Sequence, residues 1–425
     1  MYIGPEAIIE KKKQYLIPCT SHFYKNPPQM VRGSMQYLFD HQGKRYLDCF
    51  AGVSVVSCGH CNPEIVQKTV EQMQTLQHTT SIYLNQPVVE LAEKLAEVLP
   101  GDIDHSFFCT SGSEANEGAL LLAKLYTGRD EFIALKNGLH GRTHLTMGLT
   151  GLDMWRASPV PAAGTHIAQN PYPDFSKGEE DIEESGRKSL EDIGRILQER
   201  KGKIAALIAE PIQGNGGILT PPRGYFRALK KLLEDHGALL IIDEIQTGFG
   251  RTGKMFAIEH FGVVPDIITV AKALGNGIPI SAFAAGAEIA AAFTRPSSST
   301  FGGNPVASAT AMAVLEYIQS RGLAARAEEL GRQLSRGLAE LKQKYPIIRD
   351  VRGMGLMQGA ELLRENGEPA AEETDIVLEK MKDAGVLVGK NGRYRNVLAF
   401  QPPLVITGED IRDMLLKLDE VLGSL

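Results

Sequence analysis

From about residue 87 to residue 290, apolar positions alternate between helical and strand spacing. Val88–Leu99 has the spacing of an amphipathic helix, His105–Cys109 that of a short strand, Glu114–Tyr126 that of a helix and Glu131–Leu135 that of a strand. The rhythm returns with a strand at Ile204–Ala209, a helix at Tyr225–Asp235 stopped by Gly237, and a near-continuous apolar run at Ala238–Ile242. Such runs suit strands buried on both faces of a parallel sheet. Ile267–Val270 adds another short strand, so the pattern predicts an α/β domain with a mostly parallel sheet covered by helices. Residues 151–185 are richer in Pro, Gly and polar side chains and read as a long excursion near the site or a subunit boundary.

Past Pro305 the texture changes. Two long helical patterns, 305–321 and 323–344, precede short strands near 347–351, 356–361, 386–388 and 396–400 and a last helix from Glu409. Near the other end, Tyr37–Asp40 and Arg45–Cys49 read as a strand pair about the turn His41-Gln-Gly43. We therefore expect an N-terminal segment, 1–55, packing with a small domain, 305–425, beside a large domain, 56–304. A chain of 425 residues exceeds the usual single-core limit of roughly 250–300, which agrees with two domains.

With 43% apolar and 23% charged residues and a formal charge of -6, the chain carries no basic footprint for nucleic acid or anionic lipid. A small-molecule partner is expected. The start of the chain lacks the apolar core of a signal peptide, and no segment has about 18 uninterrupted apolar residues, so a cytoplasmic location and no membrane partner are expected. Five cysteines without framework spacing suit reduced thiols.

Two strands end in chemistry. The run Ala238–Ile242 delivers Asp243 and then Gln246, while Asp266–Val270 delivers Lys272 ahead of Leu-Gly-Asn-Gly. Ligands of open α/β sheets bind at such strand ends. Taken singly, Asp243 suits a turn cap and Lys272 a solvated strand end. A third element alters that balance: Cys109-Thr-Ser111-Gly112-Ser113-Glu-Ala-Asn116 follows a strand and opens a helix, with N–H groups and hydroxyls placed for an anion. A phosphate cradle, a buried acid and a primary amine are what pyridoxal phosphate needs: the lysine forms the Schiff base and the acid keeps the pyridine nitrogen protonated.

The motifs Thr110-Ser-Gly-Ser-Glu-Ala-Asn116, His140-Gly-Arg142-Thr, Glu210-Pro-Ile-Gln213, Asp243-Glu-Ile-Gln246-Thr-Gly-Phe-Gly-Arg251, Ala271-Lys272-Ala and Thr300-Phe-Gly-Gly-Asn304-Pro occur in this order over some 200 residues. Together they resemble the signature of the class III, or omega-type, aminotransferases, with the flavour of the alanine–glyoxylate and omega-amino acid types. Tyr37-Leu-Phe-Asp, Arg45-Tyr-Leu-Asp and Gly59-His60 before Pro63 extend the likeness to most of the chain.

The resemblance implies pyridoxal-phosphate transferase fold type I: a large domain with a mostly parallel seven-stranded sheet, and a smaller α+β domain built from both termini. It implies a homodimer with shared active sites. Ser111, Gly112 and Ser113 would hold the phosphate, Leu139 and His140 would lie at the ring, Asp243 would pair with the pyridine nitrogen and Gln246 would contact the ring hydroxyl. Lys272 would be the Schiff base and proton shuttle. Thr300 would reach the phosphate of the neighbouring subunit. The activity implied is amino transfer to a keto acid, with a racemase, decarboxylase or phospho-lyase as same-fold alternatives.

Two positions depart from the family pattern. Leu139 stands where an aromatic residue usually stacks on the ring, so aliphatic contact replaces stacking. Ala399 stands in Asn396-Val-Leu-Ala-Phe-Gln-Pro402-Pro403 where many relatives place an arginine for an α-carboxylate, leaving Arg142, Arg393 or Arg395 for that task. Of these, Arg142 is the expected substrate contact. Glu210, the family's gating glutamate, would lose its arginine partner and face the substrate instead. The acceptor expected is pyruvate or glyoxylate, and the donor an omega- or beta-amino acid or an amine.

Other motifs point elsewhere. Cys58-Gly-His-Cys61 copies a thiol–disulfide motif and supplies a distant alternative function. His140 and His144 are spaced like a helical metal pair, but Gly141 between them favours a loop, and no metal is expected. Gly353-Met-Gly355 reads as a turn that interrupts a strand.

Overall fold

The structure is a computed structural model that describes residues 2–158, 160–179 and 181–425. Strands β1 (Met30–Ser34), β2 (Tyr37–Asp40) and β3 (Arg45–Asp48) form an antiparallel meander. The turn between β2 and β3 is closed by Asp40, whose Oδ1 accepts the N–H groups of Gln42 and Lys44, with Gly43 at φ 87°.

The central sheet takes β4 (His105–Cys109), β5 (Glu131–Leu135), β6 (Thr165–Ala168), β7 (Ile204–Ala209), β8 (Leu239–Asp243), β9 (Ile267–Val270) and β10 (Ser281–Ala285) in the order β4-β10-β9-β8-β7-β5-β6. Strands β9, β8, β7, β5 and β6 are mutually parallel, and β10 runs antiparallel to both its neighbours. Every residue of β5, β7, β8 and β9 is buried, as the unbroken apolar runs require. Helices cover both faces; Tyr225–Asp235 turns Tyr225, Phe226, Leu229 and Leu233 onto the sheet. The seven-stranded α/β fold is thus the one expected.

Two strands of this sheet escaped the sequence. The excursion at 151–185 contains β6, a short polar edge strand. Strand β10 is built from Ser, Ala and Phe and lacks the branched side chains that advertise a strand. The Phe283 ring of this strand lies against Gly118 of the helix Gly112–Thr127, where a Cβ would come within 2.3 Å of it, so position 118 must stay glycine for the ring to sit there.

In the C-terminal part, β11 (Ile348–Met354) and β12 (Met357–Leu362) form a hairpin about Gly355, whose φ of 53° confirms a turn at the Gly-Met-Gly segment. Strand β13 (Val386–Leu387) joins the first sheet parallel to β3, tying the two ends of the chain together. Strands β14 (Gly389–Asn391) and β15 (Val397–Phe400) complete the antiparallel order β11-β12-β15-β14 of a smaller sheet domain. A helix at Ala371–Asp383, unpredicted from sequence, packs near this sheet, and the helix Pro305–Ser320 packs on Pro63–Thr75 and Gln86–Ala96. Among the described residues no helix is long and apolar enough to cross a membrane.

Candidate active site

Strands β8 and β9 are paired in register, with Asp243 opposite Thr269, so their C-terminal ends bring Asp243 and Lys272 to one edge of the sheet. Both line a cavity of about 350 Å³. Lys272 sits just past β9 at φ 45°, a left-handed conformation that a non-glycine residue adopts only where its surroundings impose it. Among the described residues its amine has no hydrogen-bond or ion-pair partner. Burial pulls it below the usual lysine range, against the opposing pull of the Asp243 and Glu210 carboxylates.

Asp243 is buried and held from three sides. Its Oδ2 accepts from Asn116 Nδ2 at 2.8 Å and from His140 Nδ1 at 2.8 Å, and its Oδ1 accepts from the Ile245 N–H at 3.1 Å. The donor to Oδ2 fixes the proton of His140 on Nδ1, leaving Nε2 buried and unpartnered.

The opposite end of the cavity is the N-terminus of the helix Gly112–Thr127. Ser111 caps it, accepting the Glu114 N–H at 3.3 Å, while Glu114 returns to Thr110 N and Oγ1 at 2.9 and 2.8 Å. The N–H groups of the first turn have no partner within the helix and meet the cavity at Gly112 and Ser113. At 112 a Cβ would come within 2.9 Å of Ile245 Cδ1, so any larger residue would push that side chain aside. Ser113 Oγ accepts the Arg142 N–H at 3.0 Å, which leaves its own proton to donate.

Leu139, Glu210, Gln246 and Arg142 also line the cavity. Glu210 is buried, its two carboxylate oxygens accepting the N–H groups of Leu139 and Gly214 at 2.9 Å each. Burial, with the nearby Asp243 charge adding to it, pushes its carboxyl up against the opposing pull of His140. Gln246 donates to Gln401 Oε1 at 2.8 Å, and its own Oε1 is buried and unpartnered. Arg142 is exposed and is the one arginine among the described residues on the cavity wall.

The family model for aminotransferase class III matches residues 22–422. The chain belongs to the class III aminotransferases. It is 44% identical over 415 residues to the mitochondrial alanine–glyoxylate aminotransferase 2 homolog 2 of Arabidopsis thaliana, covering 96% of this chain and 86% of the relative. It is 40% identical to the acetylornithine aminotransferase of Methanocaldococcus jannaschii over the whole of both chains. Among solved structures, a phospholyase from Arthrobacter in complex with phosphoethanolamine superposes with a TM-score of 0.92 at 33% identity, covering 98% of this chain and all of the other.

Class III aminotransferases depend on pyridoxal phosphate, and this protein is accordingly an enzyme of that kind, a transaminase. The residues present fit the cofactor. The unbonded amine of Lys272, the glycine-opened helix N-terminus and the orphaned Oε1 of Gln246 are groups that a phosphorylated pyridine aldehyde would satisfy.

Of the residues expected at the site, Ser111, Gly112, Ser113, Leu139, His140, Arg142, Glu210, Asp243, Gln246 and Lys272 all line this cavity. Thr300 does not; it lies exposed outside it, beside the exposed Phe301. Arg393 and Arg395 are absent from the wall, Arg395 being stacked on Phe23 with 4.6 Å to the ring centroid. Sequence reasoning missed Thr269, which bonds Asn116, and saw Asn276 only as part of the Leu-Gly-Asn-Gly loop; Asn276 takes the Cys58 N–H at 2.9 Å and donates to Gly59 O at 3.0 Å. Asn276 thereby ties the loop after Lys272 to the Cys58–Cys61 segment.

That segment is no thiol–disulfide centre. Cys58 is buried, burial pushes its thiol up, and all five cysteines are free, whereas a reactive thiol needs a lowered pKa and access. His144 is exposed at the start of the helix His144–Gly148, and no group of side chains suited to a metal occurs among the described residues.

Proposed function

We propose that this aminotransferase moves an amino group from an omega- or beta-amino acid or an amine to pyruvate or glyoxylate, and accepts 2-oxoglutarate poorly. One observation carries the proposal. Ala399, where an arginine would clamp an α-carboxylate, is fully buried in an apolar cluster with Ile212, Ile218 and Met357. Arg142 is then the guanidinium left to take a carboxylate, and it suits an acceptor with a single small one.

In this proposal Gly112 and Ser113 hold the phosphate with N–H groups and a hydroxyl, Asp243 holds the ring nitrogen protonated, and Gln246 contacts the ring hydroxyl. Leu139 packs on the ring and Lys272 binds the cofactor covalently. When bound, the cofactor supplies an electron sink for the bonds at the substrate's amino carbon. Lys272 Nζ would take and return the proton at that carbon, a task that its lowered basicity suits. The cavity wall of Leu139, Ile245, Ile278 and Ile280 keeps water from the reacting carbon. Thr300, exposed and outside its own cavity, serves the phosphate of a second copy in a homodimer.

The test is kcat/KM for pyruvate, glyoxylate and 2-oxoglutarate with one common donor. The two small acids should lead; a clear preference for 2-oxoglutarate would overturn the proposal.

A further inference from the structure

The helix that offers its N-terminus to the phosphate also sends one side chain back under the sheet. Asn116 is fully buried, and each hydrogen-bonding group of its amide is engaged. Its Nδ2 donates to Asp243 Oδ2 at 2.8 Å and to the His140 carbonyl at 2.7 Å, and its Oδ1 accepts the Thr269 hydroxyl proton at 2.6 Å. Thr269 is itself fully buried on β9, the strand that delivers Lys272. The partners of one amide therefore belong to the acid's strand, the lysine's strand and the loop that leads to Arg142.

An asparagine amide in a closed interior can lie in two orientations, and the wrong one would set a carbonyl oxygen against the Asp243 carboxylate. Asp243 Oδ2 and the His140 carbonyl can only accept, so both call for Nδ2 and decide between them. The Thr269 hydroxyl, able to donate or accept, completes the arrangement by donating to Oδ1 at 2.6 Å. With Oδ2 held by Asn116 and His140, the spare acceptor capacity of the carboxylate lies on Oδ1, which has only the Ile245 N–H.

We propose that Asn116 is a positioning residue that aims the Asp243 carboxylate at the cofactor ring and locks it to the phosphate helix, with Thr269 bracing the amide from the lysine's strand. It rests on Asp243 being the acid that faces the ring nitrogen. It goes beyond that assignment by making ring electronics and phosphate binding depend on one buried amide.

The test compares Asn116→Ala, Thr269→Val, the double variant and Asp243→Asn. The readouts are the dissociation constant of pyridoxal phosphate titrated into apoprotein, the pH midpoint of the visible cofactor band, and kcat. Asn116→Ala should weaken cofactor binding roughly tenfold, move the band midpoint and lower kcat by about a hundredfold, since a buried charged acceptor loses a donor. Thr269→Val should do the same to a smaller degree, and the double variant should be no worse than Asn116→Ala, because Thr269 acts through Asn116.

A purely structural asparagine would lower apoprotein thermal stability and leave the band midpoint in place; that result overturns the proposal, as does full additivity of the two losses. If Asn116→Ala does not accumulate as folded protein, Thr269→Val decides: a shifted midpoint supports the proposal and an unshifted one overturns it. Asp243→Asn separates the two levels. If it moves the midpoint and Asn116→Ala does not, only the role of Asn116 falls; if it moves nothing, the assignment of Asp243 falls as well.

Discussion

The cofactor side and the substrate side of this cavity are built in opposite ways. On the cofactor side, Asp243, His140, Asn116 and Thr269 are all buried and hold one another through hydrogen bonds of 2.6–2.8 Å drawn from separate elements. On the proposed substrate side, Arg142 is exposed and, among the described residues, is anchored only through its backbone N–H, while Ala399 is buried in an apolar cluster away from the cavity wall. On the proposed roles, a ring that must stay bound through both halves of a transfer would be met by a preorganised wall, and substrates that must enter and leave would meet one exposed guanidinium. Such a division lets a family keep its chemistry and change its substrates by a few exposed or apolar positions.

Replacing Lys272 should break the cofactor side most severely. Lys272→Met removes both the covalent anchor and the proton carrier, and turnover should fall by roughly four orders of magnitude or more, measured on protein freed of host transaminases. The same variant has a second signature. The folded-state basicity of Lys272 is depressed, so the unfolded chain binds more protons below the ordinary lysine value of 10.5, and the wild-type apoprotein gains stability as pH rises toward that value. Lys272→Met apoprotein should therefore be the more stable near neutrality, with an advantage that shrinks as pH rises; a constant difference between pH 7 and 10 would show that the amine is not desolvated.

Asp243→Asn comes next. It keeps the shape but loses the charge that faces the ring, and kcat should fall roughly 10²- to 10³-fold with a smaller loss of cofactor affinity. A near-normal rate would mean that another group faces the ring nitrogen.

The contrast between the two sides also governs what could be read from the chain. The cofactor side was legible because strands buried on both faces write unbroken apolar runs, as at Ile204–Ala209, and because glycine at 112 and the ordered acid, amide and lysine have few alternative uses. Strand β10 was invisible because it is written in serine, alanine and phenylalanine without branched residues, and β6 because a four-residue edge strand needs little apolar patterning. Thr269 could not be singled out either: a threonine inside a strand looks the same whether its hydroxyl is idle or, as here, braces an amide from a helix 153 residues away. On the substrate side, Ala399 was noticed only as a departure from a family pattern, and its burial among Ile212, Ile218 and Met357 emerged from the fold.

Arg142→Ala sharpens the comparison from the substrate side. Loss of one charge-assisted contact of about 1.5–3 kcal/mol should lower kcat/KM for keto acids roughly ten- to a hundredfold and leave the affinity for pyridoxal phosphate unchanged. Unchanged specificity constants would place the carboxylate elsewhere.

The smallest effect is expected at Leu139, where the two sides meet. Leu139→Tyr restores a ring against the cofactor and should tighten its binding by no more than about tenfold, the equivalent of the 0.5–1.5 kcal/mol of an aromatic pair. Weaker binding in a cofactor titration would indicate that the cavity at Leu139 has no room for the ring.

The assignment on which all of this turns is that one lysine, at the end of β9, carries the cofactor. Borohydride reduction of the cofactor-loaded enzyme fixes the group to whichever amine holds it, and peptide mass mapping then names the residue. The phosphopyridoxyl mass should be found on the peptide containing Lys272 and on no other; its appearance on a different lysine, with Lys272 unmodified, would contradict the site described above.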